Sequence, residues 1–186
     1  MKKLLFATLA FFLLVCLAGC TEKSPEPEPE NTGGLGGSGN LLPNPFVYVE
    51  SLKELNAASE IKFESLPDNI GSVYEPAGYA YSETLHMAQV LYADPGDSDN
   101  TILIRKAPYE LTDQHTIKDI SGDFSNYEEY AEVDGIDFAY SRAGNKGLIN
   151  NVQWQSPDYL YAMIINPGTD QGLTEETVID LVRTIR

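Results

Sequence analysis

The chain has 186 residues, with 12 Lys and Arg against 28 Asp and Glu, a formal net charge of −16, 42% apolar residues and two cysteines. That length suits one domain with tails. So acidic a chain excludes a nucleic-acid footprint, because phosphate binding needs clustered Lys and Arg to displace counterions.

In chain order, Lys2 and Lys3 precede an apolar run from Leu4 to Leu17 and the small residues Ala18 and Gly19. A basic start, an apolar core of about fourteen residues and small residues before a cut make a secretory signal, too short to serve as a permanent span. Its ending, Leu17-Ala18-Gly19-Cys20, resembles the lipobox of bacterial lipoproteins. The resemblance implies a diacylglycerol on the Cys20 sulfur and cleavage of residues 1–19, so that Cys20 opens the mature chain. Two acyl chains supply the anchoring strength that one lacks. Cys16 leaves with the signal and Cys20 is consumed by lipid, so no disulfide is expected in the exported form. Losing Lys2 and Lys3 takes the basic count from 12 to 10 against 28 acids, a formal charge of −18. An anionic leaflet repels such a body, which suits a domain held away from the membrane at the extracytoplasmic face.

Residues 20–42 read as the lipidated cysteine followed by a tether. Ser24-Pro25-Glu26-Pro27-Glu28-Pro29-Glu30 is stiff and extended, and Gly33-Gly34-Leu35-Gly36-Gly37-Ser38-Gly39 is flexible; neither can bury a core. As a coil the segment spans about 25 Å. Gly34 to Gly39 matches the dinucleotide fingerprint letter by letter, but that chemistry needs a strand before the glycines and a helix after them. A proline tract and Leu41-Leu42-Pro43 stand there instead.

Residues 43–186 are expected to form one domain. Ser51-Leu52-Lys53-Glu54 is a capping box opening a short helix. Leu66-Pro67-Asp68-Asn69-Ile70-Gly71 is turn chemistry, and strands are predicted over 73–82, 85–93, 101–106, 130–133, 136–142, 148–155 and 159–166. Asp134-Gly135 between Val133 and Ile136 predicts a type I′ hairpin. Residues 159–165 are apolar at nearly every position, as a strand covered on both faces requires. Thr174 caps a last helix, with Glu175 and Glu176 in its first turn and Arg183 and Arg186 near its end, in keeping with the macrodipole. The expected class is α+β: a mainly antiparallel sheet of about six to seven strands with a short N-terminal helix and a C-terminal helix.

Asn44-Pro45-Phe46, Ile120-Ser121-Gly122-Asp123 with Tyr127, Trp154 followed by Tyr159-Leu160-Tyr161, and Leu173-Thr174-Glu175-Glu176 resemble, in order, the domain of unknown function numbered 4367. Such domains occur in bacterial lipoproteins and in the exported halves of some membrane-bound anti-sigma factors. The resemblance implies an exported, non-catalytic module in a single-membrane envelope, and it carries no agreed catalytic residues. No regulatory cytoplasmic half is expected beside it, since the only membrane segment in the sequence is the signal.

Sites of chemistry are sparse. His86 falls in a strand pattern and His115 in a polar stretch, with no H-E-x-x-H and no spare cysteine for zinc. Ser59-Glu60-Ile61-Lys62 and Ser98-Asp99-Asn100 match two of the three signatures of penicillin-recognising serine enzymes, but K-T-G is missing and no G-x-S-x-G occurs. Asp94, Asp97 and Asp99 concentrate oxygen ligands in one turn, a calcium candidate that lacks the EF-hand spacing and its bidentate Glu. Otherwise no cofactor is expected. Tyr79, Tyr81, Tyr92, Tyr130, Tyr140, Tyr159 and Tyr161 lie on strands, where rings suit protein or glycan recognition and equally suit a sheet core. The leading expectation is a lipid-anchored extracytoplasmic binding or sensing module with no catalysis. The alternatives are a cell-envelope hydrolase working through paired carboxylates and a calcium-stabilised surface structural protein.

Overall fold

A computed structural model describes residues 44–109, 120, 127–144, 147–167, 169 and 171–186. Cys20, the residues expected to form the tether, His115, Ser121, Gly122 and Asp123 lie outside the described residues.

One antiparallel sheet of eight strands organises the domain: β1 (Val47–Val49), β2 (Glu75–Ser82), β3 (Met87–Asp94), β4 (Asp97–Pro108), β5 (Glu129–Val133), β6 (Ile136–Ala143), β7 (Leu148–Gln155) and β8 (Tyr159–Ile165). Their order across the sheet is β1-β2-β3-β4-β8-β7-β6-β5, so the two chain-local meanders join where β4 pairs with β8. The expected six to seven strands are therefore corrected to eight. The added strand is β1, three residues paired with Tyr79 to Tyr81 of β2, too short for alternation to reveal.

Among the described residues, the helices α1 (Leu52–Ala58) and α2 (Glu175–Thr184) bury residues on the same face of the sheet. Both caps form as the sequence requires: Ser51 Oγ accepts from the Glu54 N–H, and Thr174 Oγ1 from the Thr177 N–H. The Glu54 carboxylate also accepts from the Glu50 N–H. Leu55 of α1 and Val178, Leu181 and Val182 of α2 meet Val90, Ile104, Met163 and Val152, a row of directly opposed residues across β3, β4, β8 and β7. Between the helices, Phe63 is held by Asn56, whose amide donates to the Phe63 carbonyl and accepts from its N–H. Main-chain bonds between Glu64, Ser65 and Arg186 fix the same stretch to the end of the chain.

The β5–β6 turn takes φ of 52° at Asp134 and 80° at Gly135, as a type I′ turn demands. Gly172 passes so close to the Ile149 carbonyl that a Cβ would collide with it, which permits the two-bond bridge between Ile149 and Leu173. His86 lies in the β2–β3 turn rather than in a strand. It is exposed with φ of 47°, because the ladder from Ser82 to Met87 closes before it.

Candidate functional site

Six of the seven strand tyrosines turn toward the helix-covered core and are buried or packed against it. Tyr92 is 1% exposed, and its hydroxyl donates to the Pro67 carbonyl at 2.6 Å. The face opposite α1 and α2 carries the seventh, Tyr130, which is 77% exposed. Register decides what stands beside it. Tyr130 of β5 is opposite Ala139 of β6, which is opposite Gln153 of β7. One pleat along the same face, Glu132 is opposite Asp137, and Gln155 follows Gln153 at the strand period of two. Ala139 is the small residue between two larger ones, and the trough above it opens into a groove of about 550 Å³. Tyr127, Ser156, Pro157 and Leu160 also line it. Further along this face, Ile120 packs with Met87, Ala107, Leu160 and Ala162 as a second apolar cluster.

On the core side lies a group that the sequence did not single out. Lys106 of β4 is 2% exposed, between Ala88 of β3 and Tyr161 of β8. Its Nζ donates to the Lys62 carbonyl at 2.6 Å and sits 4.1 Å from the Tyr159 ring centroid, 5.4 Å from that of Tyr161 and 5.7 Å from that of Phe63. The ion pairs among the described residues lie elsewhere. Burial therefore lowers the Lys106 pKa below that of a free lysine, opposed in part by Glu64. The three rings supply the attraction of their π faces to the ammonium in place of a carboxylate. Tyr161 in turn stacks on Trp154 with centroids 5.0 Å apart and planes 5° from parallel. The Trp154 Nε1 has no hydrogen-bond partner among the described residues.

A third cluster is a clamp. Arg142 of β6 donates from Nε to Glu129 Oε1 at 2.8 Å, from Nη2 to Glu175 Oε2 at 2.9 Å, and from Nη1 to the Gly147 carbonyl. The Tyr140 hydroxyl donates to Glu129 Oε2 at 3.0 Å. One guanidinium thus ties β5, β6, the β6–β7 turn and the first turn of α2. The hydrogen bond from Arg142 holds the Glu129 carboxyl below the usual carboxylate range. These hydrogen bonds run between strands, turn and helix, so the cluster reads as architecture.

The acidic turn resolves into strand. Asp94 ends β3, and β4 already begins at Asp97, because the ladder with β3 continues through the polar residues. Asp94 Oδ1 accepts from the Gly96 N–H, its Oδ2 from the Asn100 amide, and Asp97 Oδ1 from the Asp99 N–H. Among the described residues, no group of three or more His, Cys, Asp or Glu side chains is placed to hold a metal ion, so Asp94, Asp97 and Asp99 are not gathered into one. Ser59 of the S-x-x-K match is the C-cap of α1, and its Oγ accepts from the Ile61 N–H. Ser98 and Asp99 are exposed on β4.

Comparison of the chain with family models, with curated proteins and with solved structures found no match. The likeness to the 4367 domain accordingly rests on the sequence motifs alone. Among the described residues, no helix is long and apolar enough to cross a membrane.

Proposed function

We propose that the chain is an extracytoplasmic lipoprotein, anchored in the cell membrane through acyl chains on Cys20, whose folded domain binds or senses a ligand without catalysis. The observation that carries this reading is the succession of signal, Leu17-Ala18-Gly19-Cys20, Pro/Glu tract, glycine run and folded domain. The order makes physical sense: a lipid holds one end in the leaflet, a tether unable to bury a core spaces the domain from it, and the acidic domain stays clear of anionic headgroups. Recognition is supported by a groove on the sheet face whose described lining includes tyrosine, amide and carboxylate side chains.

The anchoring is tested by replacing Cys20→Ala in cells and separating membranes from soluble material. The parent should sediment with membranes and resist salt extraction, and the variant should leave the membrane fraction almost entirely. A variant that stays with the membrane as firmly as the parent would contradict the lipid anchor.

A further inference from the structure

Resting on the reading of the domain as a binding module, we infer that the groove across β5, β6 and β7 takes a neutral oligosaccharide. Three observations carry this. The Tyr130 ring, 77% exposed, stands at one side of a trough floored by Ala139. An exposed aromatic face on a rigid strand suits the C–H face of a pyranose, giving apolar contact area at little cost in side-chain freedom. Across the trough stand the Gln153 and Gln155 amides of β7, and the Asp137 carboxylate lies one pleat along β6 from Ala139. Each amide offers both donor and acceptor, and the carboxylate adds acceptors, which matches the mixed capacity of sugar hydroxyls rather than a single sign of charge.

Charge narrows the class further. Among the described lining residues Asp137 is the one carboxylic acid, and none is a lysine or arginine. In a chain of net charge −16, sulfated, phosphorylated or uronate-rich glycans would meet repulsion, with no lysine or arginine among the described lining residues to answer it. A basic peptide would find that single carboxylate among the described lining residues. The volume of about 550 Å³ lies inside the range of about 300–1,000 Å³ usual for small-ligand sites, and the open trough across three strands suits an extended chain of sugars.

The test uses the full chain carrying Cys20→Ala, applied to an array of neutral hexose and N-acetylhexosamine oligomers beside sulfated and uronate oligomers and a set of basic peptides. Neutral oligomers should be retained in preference to the others. Tyr130→Ala should weaken that binding about tenfold by removing the stacking face, and Ala139→Leu should abolish it by filling the trough, each with the thermal transition of Trp154 fluorescence unchanged. Retention of no neutral oligomer, preference for anionic oligomers or basic peptides, or binding that survives both substitutions would overturn the assignment. Membrane release of the Cys20→Ala chain is scored in the same preparation, so loss of the glycan site leaves the anchoring result readable on its own.

Discussion

Ile104→Ala should lower the unfolding free energy by about 2–5 kcal/mol, among the largest losses open to a single substitution in this domain. Ile104 is fully buried at the middle of β4, opposite Val90 on one side and Met163 on the other. It stands where the two meanders join, so no neighbour can close the gap without moving two ladders. At this domain size the loss corresponds to a fall in Tm of roughly 10 °C. The chain's single tryptophan, Trp154, is buried in the same apolar cluster and reports the transition by fluorescence. A loss under about 1 kcal/mol, with the transition equally sharp, would show that the β4–β8 junction is not central to the core.

Lys106 sets the second expectation, a rise in stability with pH on the alkaline side. Its pKa in the folded protein is lowered by burial, so between that value and the ordinary lysine value near 10.4 the unfolded chain binds more protons than the folded one. Below the folded pKa both states carry the charge and Lys106 contributes no slope. Within the window the unfolding free energy should climb by up to about 1.4 kcal/mol per pH unit. Above about pH 10 the trend should reverse, because burial raises the pKa of Tyr92 and Tyr161, and the unfolded tyrosines release protons first. Lys106→Met keeps the length of the side chain among the Phe63, Tyr159 and Tyr161 rings and removes the titration. Denaturant melts of the two proteins from pH 7 to pH 10 should show the climb in the parent alone, and a climb of equal steepness in the variant would sink the assignment.

Local chemistry was legible wherever a few adjacent residues decide the outcome. The capping box at Ser51, the Asp134-Gly135 hairpin, the Thr174 cap and the bounds of β7 follow from side chains within one turn or one alternating run. What depended on partners distant in sequence was not legible. β1 has only three residues, and the pairing with β2 makes it a strand. β4 extends from Asp97 to Pro108 because β3 and β8 supply ladders at its two ends, beyond the apolar run from which strand propensity would draw it. Lys106 closes that run and reads as a solvated strand end, yet Tyr159, Tyr161 and Phe63 come from elsewhere to cover it.

The candidate site shows the same division. Tyr130 was one of seven strand tyrosines, and its sequence neighbours do not distinguish it from Tyr140, whose ring faces the core. Only the register from Tyr130 through Ala139 to Gln153 shows that Tyr130 shares a face with two amides and a small residue. Alternation in β6 places Phe138 and Tyr140 inward and hence Asp137 and Ala139 outward. That much was available from the sequence; the identity of the strands on either side was not.

The measurement that bears most directly on the central claim is the mass of the N-terminal peptide of the protein extracted from membranes. The account predicts a chain that begins at Cys20 and carries a diacylglycerol on its sulfur, followed by Thr21 and the Pro/Glu tract. A membrane-extracted chain that retains Met1 to Gly19, or that begins elsewhere with Cys20 unmodified, would contradict it.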